Sequence, residues 1–129
     1  MNTYSISKTV QMSHEEAMEK ATDALMTEGF GVLTEIDVSA TLKKKLDVDL
    51  PEYRILGACN PPYAHKALTA EEQIGLMLPC NVIVYVNGTG ETVVAAVDPV
   101  ASMMAVENET LSGLAAEIKE KLQRAIASL

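Results

Sequence analysis

The order of strand-like and helix-like segments predicts an α+β fold: a two-layer sandwich with a mainly antiparallel sheet and helices packed on one face. Three observations lead there. Short runs with alternating or β-branched apolar residues recur at 3–10, 30–38, 52–59, 82–86 and 92–97, as strands require. Amphipathic stretches between them give the order β-α-β-α-β-α-β-β-α. Asn87-Gly88-Thr89-Gly90 is a turn of the kind that joins antiparallel strands. That turn favours the antiparallel sheet over the parallel one that strand–helix alternation would also allow.

Taken in order, residues 3–10 place Tyr4 and Ile6 on one face of a first strand. Ser13-His14-Glu15-Glu16 is a capping box, and the two glutamates suit the positive end of a helix dipole. Ala17, Met18, Ala21 and Leu25 form that helix's apolar stripe, and His14 reads as a surface residue of its first turn. Gly29 is placed as a left-handed cap. In 30–38, Phe30, Val32, Thr34, Ile36 and Val38 share a face at period two. Ser39 then caps a short helix over 40–46, whose Lys43, Lys44 and Lys45 read as a solvated face.

Residues 52–59 form a third strand, ended by Asn60-Pro61-Pro62. Asparagine caps helices and proline is tolerated in their first turn, so a helix starts near Pro61, with a restart at Thr69. Pro79 introduces the run Val82-Ile83-Val84-Tyr85-Val86. Thr92 to Val97 returns as its partner, and Asp98-Pro99 stops it. Leu111, Leu114, Ala115, Ile118, Leu122, Ala125, Ile126 and Leu129 repeat at three- and four-residue steps as a final helix. Glu117 and Lys121 stand at i,i+4 on another of its faces.

The chain has 129 residues, enough for one domain with a real core and no staples. Its 48% apolar content excludes wholesale disorder. Ten basic against eighteen acidic residues give a net charge of -8. That balance argues against nucleic acid and anionic membrane as main partners, since both need clustered positive charge. No apolar run approaches the roughly 20 residues of a membrane span, and Met1 to Val10 lacks the pattern of a secretory leader. A cytoplasmic location is the expectation. Cys59 and Cys80 are then free thiols. Phosphate-binding glycine loops, nucleophile elbows and Cys-x-x-Cys pairs are absent from the sequence.

The chemistry-bearing residues gather on this scheme. In the hairpin around Gly88, Cys80 falls about opposite Val97, beside Asp98. If the 52–59 strand runs antiparallel beside 80–86, Cys59 reaches the same sheet edge. The candidate ligand site is therefore Cys59, Asn60, His65, Cys80, Asn81 and Asp98. Cys59, Cys80 and His65 are candidate ligands for zinc or copper, whose preferred donors include thiolate and imidazole. Each residue also has a plain structural use. Free cysteine commonly fills cores. Asparagine and aspartate beside proline cap and turn the chain. His65 suits a polar helix surface, and Met77, Met103 and Met104 suit gap-filling. Tyr53, Tyr63 and Arg54 could line a pocket, though no spacing rule selects them.

The segments Ile55-Leu56-Gly57-Ala58-Cys59-Asn60-Pro61, Ala64-His65-Lys66-Ala67-Leu68, Ile74 to Val82 with its Leu-Pro-Cys-Asn core, and Val97-Asp98-Pro99 resemble the DUF302 family. So does the Gly29 to Val38 stretch, and the likeness covers nearly the whole chain, 1–129. The resemblance implies a compact α+β domain, often homodimeric, with no established activity. It also places this chain in a cysteine-bearing variety, so the thiols are not what the shared fold needs.

Three functional readings stand on these observations. One is a domain binding a metal ion or small ligand at the cysteine edge. Another is a non-catalytic homodimeric module. The third is a thiol enzyme or redox protein with Cys59 as nucleophile and His65 as base. No third orienting residue or oxyanion site supports the last of these.

Overall fold

The computed structural model describes residues 3–129. Met1 and Asn2, the start of the stretch read above against a leader, lie outside them. Five strands form one antiparallel sheet in the order β1-β5-β4-β3-β2: β1 (Ser5–Val10), β2 (Gly31–Asp37), β3 (Tyr53–Cys59), β4 (Cys80–Val86) and β5 (Thr92–Val97). The helices are α1 (His14–Thr27), α2 (Val38–Leu46), α3 (Pro61–Ala70), α4 (Pro99–Ser102) and α5 (Glu109–Ala127), with a 3-10 helix over Glu72–Met77. None of them is long and apolar enough to cross a membrane.

Local chemistry sets most element boundaries. The Ser13 hydroxyl accepts the Glu16 amide at 3.1 Å and opens α1. Gly29 ends it with φ +86°, a conformation only glycine adopts without steric cost. The Asn87 side-chain oxygen accepts the amides of Thr89 and Glu91, each at 3.0 Å, and closes the β4–β5 hairpin. Asn108 starts α5 by accepting the Thr110 and Leu111 amides.

The core lies between one sheet face and α1 and α5. Leu56, Ala58, Val82, Val84, Val94 and Ala96 project from the sheet against Ala17, Ala21, Leu25, Ile118, Leu122 and Ile126. Full burial of the leucine, isoleucine and valine side chains among them contributes about 1.5–3 kcal/mol each. A second, smaller cluster of Ala67, Ile74 and Leu111 joins α3, the 3-10 helix and α5. The opposite sheet face carries a stacked Tyr53–Tyr85 pair, ring centroids 5.3 Å apart.

Several expectations need correction. The five residues from Phe30 to Val38 do not share a face. A bulge between Val32 and Thr34 pairs Val32 with Ala58 but Thr34 with Gly57 and Ile36 with Ile55. The extra residue therefore reverses the alternation. The cap of α2 is Asp37, which accepts the Ala40 amide at 2.9 Å, while Ser39 donates its hydroxyl to that same carboxylate. A carboxylate oxygen can take both bonds, and it starts the helix earlier. No helix restarts at Thr69. Its hydroxyl donates to the His65 carbonyl inside α3, and a 3-10 helix follows. The short α4 after Asp98 was not foreseen.

His14 is also misplaced by sequence reasoning. It is 7% exposed, because the first turn of α1 lies on the middle of the sheet. Its Nε2–H donates to the Val84 carbonyl at 2.9 Å, and Nδ1 stands 3.1 Å from Glu52 Oε2.

Candidate functional site

The antiparallel pairing of β3 with β4 is present, and it sets Ala58 opposite Cys80 and Gly57 opposite Asn81. Cys59 is thus one residue beyond the partner of Cys80. Both thiols line a half-open cavity of about 390 Å³ between the bulge of β2, the facing ends of β3 and β4, and α3, the 3-10 helix, α4 and α5. This volume falls within the roughly 300–1,000 Å³ typical of small-molecule sites.

The walls follow from residue choice. α3 turns Ala64, Ala67 and Leu68 inward, and α5 turns Leu111, Ala115 and Ile118 toward them. Alanines on facing helices keep the backbones close but leave the space between them unfilled. Gly57 allows a further close approach. A Cβ there would lie 2.8 Å from the Pro79 ring and would also meet the Thr34 hydroxyl. The lining is almost wholly apolar, with Thr34, Tyr63 and the two thiols as its polar members. Exposed Leu33 and Leu68 stand where the cavity meets solvent.

Of the six residues expected to form a site, the structure brings only the cysteines into this cavity. Asn60 is buried at the start of α3 but gives that helix no side-chain cap. Its amide instead donates to the Glu28 carbonyl at 3.2 Å and ties α3 to the end of α1. Asp98 caps α4, accepting the amides of Val100 and Ala101 at 2.9 and 3.3 Å. Its other oxygen pairs with Lys119 at 2.9 Å. Burial works to raise the Asp98 pKa, but the Lys119 bond and the two amides outweigh it and hold the carboxyl below its ordinary value. Asn81 is exposed and lines a smaller cleft of about 220 Å³. That cleft shares Leu78, Pro79, Cys80, Pro99 and Met103 with the main cavity.

His65 is exposed on α3 and does not line the cavity. Among the described residues no group of three or more His, Cys, Asp or Glu side chains could hold a metal ion. The expected Cys59–Cys80–His65 trio is therefore not assembled. Nor does His65 stand as a base for a thiol. Burial, followed by the neighbouring Cys59, pushes the Cys80 thiol up to about 11. At neutral pH it is a protonated, weakly nucleophilic group.

Sequence reasoning named Tyr63 only as one possible pocket residue and missed the alanines. Their signal was present as small side chains on the inward stripes of two helices. Nothing in the sequence showed that those stripes face each other.

The family described as "Domain of unknown function DUF302" matches residues 6–129. The chain belongs to the DUF302 family. A similar solved structure is the crystal structure of an uncharacterized conserved DUF302 protein from Bacillus stearothermophilus. It is 28% identical, with a TM-score of 0.90 over 98% of each chain. No curated protein matches the chain. The DUF302 fold is thus shared across nearly the full length.

Proposed function

We propose that this DUF302 protein binds a small, mainly apolar molecule in the cavity between the sheet edge and α3 and α5. The observation that carries the reading is the cavity itself: about 390 Å³ of space, half open to solvent, with apolar walls. Apolar walls left in contact with water favour an apolar occupant that covers them. A space of this size held open by Ala64, Ala67 and Ala115 suits an occupant. The protonated Cys80 thiol favours binding without covalent chemistry at that sulfur. Decanol, titrated by calorimetry below its solubility limit, tests this. Binding to the wild type, weakened by Ala64→Phe and Ala115→Leu, is expected. Absence of binding by the wild type, or binding unchanged in both folded variants, would overturn the proposal.

A second reading is a homodimer formed through the opposite sheet face. It is favoured by Tyr53, Ile55, Ile83 and Tyr85, which stand half-buried outside both core clusters. Ile83→Lys places a charge at the centre of that face. Sedimentation should show a wild-type dimer converted to monomer. A wild-type monomer at tens of micromolar, a range set by weak-interface affinities, would remove this reading.

A further inference from the structure

We infer that His14 holds two ring protons in the folded protein at neutral pH, and so makes a pH-sensitive clamp joining α1, β4 and the link before β3. The inference is independent of the cavity. The observation behind it is that both nitrogens of one buried imidazole meet acceptors. Nε2 stands 2.9 Å from the Val84 carbonyl oxygen in β4. Nδ1 stands 3.1 Å from Oε2 of Glu52, one residue before β3.

A backbone carbonyl only accepts hydrogen bonds. A carboxylate in contact with water is ionised at neutral pH, and it then accepts only as well. The Glu52 side chain is 65% exposed. A neutral imidazole has one N–H and one lone pair. It can serve one of these partners, and its lone pair would then point at the oxygen of the other. Only the imidazolium, with a proton on each nitrogen, donates to both.

The neighbouring charges favour the same state. Asp37, at the end of β2, lies within electrostatic reach of His14. Arg54 pairs across the sheet with Val84 but is engaged by Glu35 and Asp37, one cation facing two carboxylates. On α1 itself, Glu15 and Glu16 follow His14. β5 brings no charged side chain. Lys8 of β1 is taken up by the Ala127 and Leu129 carbonyls, and Arg124 of α5 pairs with Glu28 at the other end of α1. Burial and the positive end of the α1 dipole work against a charged ring. Two charge-assisted hydrogen bonds and the surplus of carboxylates outweigh them.

The sign of the pH dependence follows. An unfolded histidine loses its proton above about pH 6.5. The folded chain keeps it, so folding above that pH takes up a proton. The stability this supplies is present in acid and is lost as the pH rises.

Ring 15N chemical shifts of the full chain at pH 7 test the protonation directly, with exposed His65 as internal reference. Both His14 nitrogens are expected at imidazolium positions. In Glu52→Gln the side-chain amide can donate to Nδ1, so that nitrogen should move to the position of an unprotonated one while Nε2 keeps its proton. Urea denaturation between about pH 6.5 and 8, above the ordinary histidine value, gives a second readout. The folding constant of the wild type should fall by up to about tenfold per pH unit, the limit for one linked proton, and that of Glu52→Gln less steeply. An unprotonated Nδ1 in the wild type at pH 7, or an equal pH dependence in the two proteins, would overturn the inference.

Discussion

Replacing Ala115 with leucine is the sharpest probe of the cavity. Ala115 is only 3% exposed, and in a close-packed interior a larger side chain there would be rejected. Overpacking of that kind typically costs about 1–3 kcal/mol. Ala115 instead lines about 390 Å³ of open space, so the added carbons have somewhere to go. At about 0.8 kcal/mol for each buried methylene-sized group, three of them give a ceiling of about 2.4 kcal/mol. Ordering the leucine side chain takes back about 0.5–1 kcal/mol. Helix propensity changes little, since alanine and leucine both rank near the top. The expected outcome is a net stabilisation of about 1–2 kcal/mol. Urea denaturation measures it as a raised midpoint at unchanged slope. For a chain of this length it corresponds to roughly 3–10 °C in melting temperature. Decanol binding should weaken in the same variant. A loss of about 1–3 kcal/mol with decanol affinity unchanged would show that Ala115 faces packed atoms and that the reasoning fails.

Four further outcomes follow from other parts of the fold. His14→Phe keeps a ring but removes the side-chain bond to the Val84 carbonyl, so urea denaturation should show a loss of about 0.5–1.5 kcal/mol. Glu52→Ala should cost under about 1 kcal/mol, because the Glu52 side chain is largely exposed. Asp98 has a pKa held below its ordinary value of 3.8 in the folded state. Its contribution is therefore present above about pH 4 and lost as acid titrates the carboxyl through its lower folded value. Denaturation midpoints taken across that window should fall less steeply in Asp98→Asn than in the wild type. Cys80, with its thiol pushed up to about 11, holds about a hundredfold less thiolate at pH 8 than an ordinary cysteine. Iodoacetamide should label it slowly in the native protein and rapidly in urea, as read by mass spectrometry of its peptide. Equal rates in the two states would contradict its burial.

Most elements were legible because their signals are local. The Ser13 cap, the left-handed Gly29, the Asn87-Gly88 turn and the three- and four-residue repeat of α5 each depend on residues within a turn or two. The errors fall where one local rule met a competing group. Asp37 displaced Ser39 as a cap because its carboxylate, two residues earlier, accepts both the Ala40 amide and the Ser39 hydroxyl. The bulge after Val32 defeated simple alternation, because a single additional residue changes the face of all that follow.

The candidate site was legible only in part, for the same physical reason. The hairpin implied the pairing of β4 with β5, while the pairing of β3 with β4 was an assumption; that pairing is present and brings Cys59 and Cys80 to one end of the sheet. The side chains of helical residues could not be aimed in the same way. His65 and Ala64 are adjacent in the chain, yet one faces solvent and the other a cavity.

Periodicity, capping chemistry and turn residues act over a few bonds, and they were sufficient to dictate strands, helices and an antiparallel α+β sandwich. Packing acts between groups far apart in the chain. Only the docking of α3 against α5 could leave a cavity beside the thiols, and only that of α1 on the sheet could bury His14 under a distant carbonyl. Those outcomes depend on the relative rotation of whole helices, a quantity that nearest-neighbour forces along the backbone do not set.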